Sequence, residues 1–109
     1  MLLLFKDRIL KEIKEKLPLT DKNLVKIILY GSVARDEYTP HSDIDLLLIS
    51  KNKALTQKIF SDMRAKIYAE TGVLITAIIV SGEEFEKSAS LLIKKIKKEG
   101  KTLWKRKKI

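Results

Sequence analysis

Tyr30-Gly31-Ser32-Val33-Ala34-Arg35-Asp36-Glu37-Tyr38-Thr39-Pro40-His41-Ser42-Asp43-Ile44-Asp45-Leu46 is the stretch on which the rest of the chain turns. One apolar run, Leu24–Tyr30, leads into it and a second, Ile44–Ser50, leaves it. In the first, Val25, Ile27 and Ile28 are β-branched and Gly31 ends the run, which predicts a strand. In the second, Leu46-Leu47-Leu48-Ile49 is continuous rather than alternating, the pattern of a strand covered on both faces. Residues 32–42 form a polar loop with room for one helical turn at its start. Residues 31–43 cannot hold a full crossover helix, so the two strands are predicted to be antiparallel neighbours.

Outward from this centre, apolar spacing assigns the remaining elements. Phe5, Ile9, Ile13 and Leu17 recur at helical spacing, widened by Leu2 and Leu10, and predict a helix over residues 2–17 that Pro18 stops. Asn52 or Ser50 can cap a helix over residues 53–70 with Leu55, Ile59, Met63 and Ile67 inward, and Gly72 can end it. Val73–Val80 reads as a third strand, joined to the second by a helix and so free to lie parallel to it. Ser81-Gly82-Glu83-Glu84 has a capping-box pattern opening a third helix, with Phe85, Ala89, Leu92 and Ile96 inward and Gly100 at its end. Lys101-Thr102-Leu103-Trp104 can add a short edge strand. The expected fold class is α+β: a mixed sheet packed against helices, in the order α-β-β-α-β-α with a possible final short strand. Residues 1–100 read as a single domain and 101–109 as a basic C-terminal tail.

Composition narrows the function classes. The chain has 109 residues, 45% hydrophobic, which suits one domain with a real core. It has no cysteine and one histidine, which excludes disulfides, thiolate metal sites and His-rich zinc sites. No apolar run approaches the roughly 18–20 residues of a membrane span, and the N-terminus has no signal-peptide pattern, so a cytoplasmic protein is expected. The net charge of +9 favours phosphates, nucleotides, nucleic acid or an acidic protein without choosing among them, and also suits a solvated thermostable surface. Much of it lies in Lys94–Lys108. Trp104 within that run would serve nucleic-acid stacking if exposed, or the core if tucked inward.

The chemistry is concentrated in the central stretch. Asp43 and Asp45 sit two apart at the start of a strand, so both carboxylates project from one face, roughly 6–7 Å apart at the backbone. Oxygen-only ligands of this kind select Mg²⁺ or Mn²⁺. Two such ions about 3.5–4 Å apart can hold a triphosphate and stabilise leaving pyrophosphate. Gly31 lets the backbone approach a phosphate, and Ser32 can donate from its hydroxyl and amide. Arg35 can add positive charge or pair with Asp36 or Glu37. His41 and Ser42 shape the turn before the strand, and Pro40 holds Thr39 extended. Separately, D-x-D and Gly-Ser are common. In this order between two apolar strands they are far more specific.

Gly31-Ser32-x-Ala34-Arg35 followed by Ser42-Asp43-Ile44-Asp45-Leu46 resembles the signature of the DNA polymerase β-type nucleotidyltransferase superfamily, above all its small stand-alone members, the minimal nucleotidyltransferases. The resemblance implies the nucleotidyltransferase fold, with Mg²⁺ (or Mn²⁺) and a nucleoside triphosphate, ATP, as substrate. It makes Asp43 and Asp45 the catalytic metal ligands. It makes Gly31, Ser32, Arg35 and Ser42 the triphosphate-binding set. The implied reaction is transfer of AMP to a hydroxyl of a partner protein, with the chain as antitoxin to a small helical toxin. Self-association and nucleic-acid binding are compatible with the charge, and no membrane partner is expected.

The sequence departs from that signature at two places. Asp36 stands where many relatives carry glycine. The resemblance also implies a third carboxylate on the strand after the intervening helix, yet Val73–Val80 contains none, and Thr76 is its only polar residue. Glu70 lies before that strand and Glu83 and Glu84 after it, the latter two better suited to a helix start. The alternative expectation is therefore a catalytically impaired member that binds a nucleotide or a partner.

Overall fold

The structure is a computed structural model that describes residues 2–35 and 43–107, with the side chains of the first helix described from Lys6 onward. The elements, in chain order, are α1 (Leu2–Thr20), β1 (Leu24–Tyr30), α2 (Gly31–Ala34), β2 (Ile44–Ser50), α3 (Lys53–Thr71), β3 (Ile75–Val80), α4 (Gly82–Lys87), α5 (Leu91–Glu99) and β4 (Lys101–Lys105). The sheet order is β3-β2-β1-β4. β1 runs antiparallel to β2 and to β4, and β2 runs parallel to β3. This is the mixed sheet expected from the sequence, and the short final strand is present at its edge.

Both faces of the sheet are covered. On one, α1 and α3 enclose Leu24, Ile27, Leu29, Ile44, Leu46, Leu48 and Ile75. On the other, the shorter α4 and α5 cover Ile28, Leu47, Ile49 and Val80 with Phe85, Ile93 and Ile96. Leu46 to Ile49 are all buried, which accounts for the unbroken apolar run in β2.

Three helix expectations are corrected. Pro18 does not stop α1 but lies inside its last turn. A proline there forfeits one backbone donor, while Asp21 N–H to Leu17 O (2.8 Å) and Thr20 Oγ1 to Lys16 O (3.2 Å) carry the turn onward. In α3 the buried face is Thr56, Phe60 and Ile67, with Ile59 and Met63 half-buried and Leu55 exposed. The stripe is turned by one residue because Thr56 is drawn inward by a buried carboxylate described next. The helix expected after β3 is two helices: Ser88 and Ser90 both adopt extended backbone, and Ser90 caps α5 through Ile93 N–H. The break turns Leu92 outward and buries Ile93 instead, and Ala89 falls in the exposed break. The Asn52 cap, the left-handed Gly72 (φ 75°) and the Ser81–Glu84 capping box form as their residues predict. Phe5 and Leu2, assigned to the inner face of α1, lie outside the residues whose side chains are described.

A polar chain holds the end of the sheet away from the central stretch. Asp21 is fully buried and accepts from Asn23 N–H (3.0 Å) and Thr56 Oγ1 (2.5 Å). Because the Thr56 proton is committed to Asp21, Ser50 Oγ must donate to Thr56 (2.6 Å) while accepting from Asn52 N–H (3.0 Å). Arg106, just past β4, donates to the carbonyls of Leu24 (2.8 Å), Asp21 (3.1 Å) and Pro18 (3.4 Å). Trp104 is half-buried against the α1–α3 core, its ring 4.9 Å from the Arg106 guanidinium. The aromatic in the basic run is thus packed rather than displayed. Among the described residues, no helix is long and apolar enough to cross a membrane.

Candidate functional site

Strand pairing sets three residues in a row across the sheet. Tyr30 at the end of β1 is opposite Asp45 near the start of β2, and Asp45 is opposite Thr76 on β3. Paired residues share a face, and this is the face covered by α4 and α5. Two contacts fix the half-buried Asp45 carboxylate. Thr76 Oγ1 donates to Oδ1 at 2.6 Å. Oδ2 stands over Gly31, so close that a Cβ there would meet it at 2.5 Å. Gly31 also has φ +79°, a conformation side chains disfavour. The glycine thus serves two needs: it turns the chain from β1 into α2, and it leaves space for the metal-ligand candidate.

The other predicted residues are distributed around this row. Ser32 lies in the single turn α2, half-buried, and Arg35 follows at its end, its N–H bonded to Gly31 O and Ser32 O. Asp43 is exposed, immediately before β2. Ser42, with Asp36, Glu37, Thr39, Pro40 and His41, lies outside the described residues. Beside the row is a pocket of about 160 Å³ between the end of β1 and α5, lined by Tyr30, Gly31, Arg35, Leu92, Lys95, Ile96 and Glu99. Burial, and then the negative charge of Asp45, push the Tyr30 phenol above its ordinary value.

Thr76 occupies the position where an acid was expected: it is the β3 residue that faces Asp45. The other acids considered are engaged elsewhere. Glu84 pairs with Lys53 at 2.7 Å and closes the capping box of α4, and those contacts lower its pKa to about 2. Glu83 pairs with Lys87 at 2.9 Å. Glu70 borders a cleft with Arg8 and Lys11 between α1 and α3, on the opposite side of the sheet. Among the described residues no group of three or more potential metal ligands assembles.

Sequence reading missed two contributors. Tyr30 was read only as the last residue of a strand. Lys95 was read as part of a solvent-facing basic run, yet it lines the pocket beside Arg35. The signal was available in the i, i+3, i+4, i+7 spacing of Leu92, Lys95, Ile96 and Glu99, which places all four on one side of α5.

The sequence profile of the Nucleotidyltransferase domain matches residues 6–108. A candidate protein adenylyltransferase of Methanocaldococcus jannaschii is 36% identical over 80 residues, which span 72% of this chain and 77% of the relative. A second from the same organism is 33% identical over 92 residues, 80% of this chain and 60% of the relative. A solved candidate nucleotidyltransferase of Sulfolobus solfataricus matches the fold with a TM-score of 0.63 over 97% of this chain and 89% of its own, at 22% identity. A chain of a toxin–antitoxin crystal structure with AMP-PNP matches with a TM-score of 0.62 over 93% and 73%, at 19% identity. The protein belongs to the nucleotidyltransferase domain family.

Proposed function

We propose that the protein binds a nucleoside triphosphate, ATP, with Mg²⁺ or Mn²⁺ and transfers AMP to a hydroxyl of a partner protein. The observation that carries this reading is the contact of Gly31 with the Asp45 carboxylate, which joins a phosphate-approach glycine to a hard oxygen ligand. The residues fit the ion. Mg²⁺ binds through one or two carboxylates and completes its shell with substrate phosphates and water. Two carboxylates without a third suit an ion that arrives with its nucleotide. Asp43 and Asp45 would hold it, and it would neutralise phosphate charge as a Lewis acid.

The chain's own residues supply the rest. Gly31 and Ser32 approach the triphosphate by backbone and hydroxyl, and the family resemblance adds Ser42, outside the described residues, to the same role. Arg35 and Lys95 add positive charge at the pocket. Leu92 and Ile96 keep that pocket apolar, which strengthens charge interactions within it. Thr76 holds Asp45 Oδ1 in a fixed orientation. The adenylyltransferase relatives support AMP as the group transferred. The toxin–antitoxin neighbours support a protein partner. The proposed partner is a small helical toxin, to which this chain would be the antitoxin.

A second reading is favoured by Thr76. A threonine hydroxyl is a weak base at neutral pH, and loss of a general base costs on the order of 10²–10⁴ in rate. In that reading the protein binds nucleotide or partner with little turnover. Incubation with labelled ATP, Mg²⁺ and candidate partner proteins separates the two. Label on protein that disappears in Asp43→Ala establishes transfer. Nucleotide binding without label on any acceptor selects the second reading, and no binding at millimolar ATP sinks transfer and leaves only the partner-binding form of the second reading.

A further inference from the structure

We propose that the outer edge of β3 is the docking site for the acceptor, taken as an extended polypeptide segment that adds a strand to the sheet and presents its hydroxyl beside Thr76. This rests on the transfer reading and says where the second substrate lies.

The first support is the direction of the reaction. In nucleotidyl transfer the acceptor oxygen bonds to the α-phosphorus while the bond from that phosphorus to the bridging oxygen breaks. The electron pair leaves with pyrophosphate, and the hydroxyl proton is released to water. Attacking and leaving oxygens stand on opposite sides of the phosphorus. The pyrophosphate side is Gly31 and Ser32, at the end of β1. The Asp45 carboxylate on β2 lies in the middle of the row. The attacking hydroxyl must then come from the far side, which is Thr76 on β3. Adjacent strands are about 4.7–4.9 Å apart, so the row spans about two such spacings from cradle to acceptor.

The second support is the strand itself. β3 is an edge of the sheet. Its sequence, Ile-Thr-Ala-Ile-Ile-Val, has no charge, proline or glycine, and its register with β2 runs unbroken from Ile44↔Ile75 to Ile49↔Val80. Thr76, Ala77, Ile78 and Ile79 are all only half-buried. The opposite edge, β4, is blunted in the usual ways: Lys101 and Lys105 are exposed and its pairing shifts register between Ile27 and Ile28. Only one edge is protected. The outward groups can be assigned. Ile44 N–H donates to Leu74 O, and in a parallel ladder alternate residues face the neighbour, so Thr76, Ile78 and Val80 bond to β2. Ile75, Ala77 and Ile79 therefore direct their N–H and C=O outward. Just before β3, Leu74 is 41% exposed and gives an entering segment an apolar contact.

The test uses three nine-residue peptides of valine and glutamate, each with one central serine, threonine or tyrosine, and the capped single amino acids as strandless acceptors. With ATP and Mg²⁺, at least one peptide should take up labelled AMP at least ten-fold faster than its capped amino acid. It should also slow amide hydrogen exchange at Ala77 and Ile79. Ala77→Pro removes an outward donor without a β2 bond and should bring the peptide to the rate of the capped amino acid, whose own rate is unchanged. Methylating alternate peptide nitrogens should do the same with the protein unaltered, so misfolding of the variant cannot imitate the result.

Transfer that ignores both Ala77→Pro and peptide methylation overturns the docking edge and leaves the transfer reading standing. Protection of Ala77 and Ile79 with no labelled acceptor retains the edge and sinks the transfer reading. Protection that rises with protein concentration and needs no peptide makes the edge a self-association surface and overturns the proposal.

Discussion

Among the described residues, two aspartates each accept a hydrogen bond from a threonine hydroxyl, and their surroundings set them apart. Asp21 is buried completely, and each of its carboxylate oxygens has a donor: Asn23 N–H on one, Thr56 on the other. Asp45 is half-exposed, with Thr76 on Oδ1 and a bare glycine backbone under Oδ2. A buried carboxylate with both oxygens engaged is a structural strut. One that is half-exposed, with a space cleared beside its second oxygen, has the surroundings of the proposed ligand. The donor residue type is the same, so burial and the second oxygen make the difference.

The largest effect that would break this contrast is at the strut. Asp21→Ala strips partners from Thr56 and Asn23 at once and, at about 1–3 kcal/mol for each group left unsatisfied, is expected to cost about 2–6 kcal/mol of stability, read by urea denaturation. A loss below about 1 kcal/mol would show that Asp21 is not a strut. Asp45→Asn should act on the other axis, lowering AMP transfer by at least about 10²-fold while changing stability by less than about 1 kcal/mol. Equal damage to stability at both aspartates would erase the distinction.

Smaller effects sharpen it. Thr56→Val leaves a buried carboxylate oxygen and Ser50 unsatisfied and should cost about 1–3 kcal/mol. Thr76→Val should cost under about 1 kcal/mol, because water can reach Asp45. Both are measured in the same denaturation series. The smallest effect is a titration. The fold raises the Tyr30 phenol by burial first and by Asp45 second. Above its ordinary value of 10.0 the unfolded chain loses this proton first, so Tyr30 lowers stability as pH rises past that value and the contribution is fully present below it. In Asp45→Asn the tyrosinate absorbance should appear at slightly lower pH than in the wild type, still above 10.0 because burial remains. No shift would remove Asp45 from the surroundings of Tyr30.

Much of the fold was legible because apolar runs state their own burial. The continuous Leu46–Ile49 run needed cover on two sides and has it. The central motif was legible because Gly31 and Asp45 act through backbone conformation and strand parity, which are local properties. What was not legible depends on partners distant in sequence. Thr56 faces inward because of Asp21, and that pair spans 35 residues. Apolar residues occur on both adjoining stripes of α3, so spacing could not select Phe60 over Leu55. Ser88-Ala89-Ser90 breaks a helix by extended backbone and a new cap, which spacing alone read straight through. Lys95 was obscured by its neighbouring lysines: spacing puts it on one side of α5 with Leu92, Ile96 and Glu99, but that this side borders a pocket depends on β1, distant in sequence.

The strand order has a consequence for how the chain is made. Proteins emerge from the ribosome N-terminus first. The Tyr30–Asp45–Thr76 row is complete once β3 has emerged, whereas β4 and Arg106, which grips the carbonyls of Leu24, Asp21 and Pro18, follow later. Until then β1 offers a second open margin, with Ile27 and Ile28 beside it. A nascent chain would carry an assembled Tyr30–Asp45–Thr76 row on a half-closed sheet until β4 emerges to cover the margin of β1.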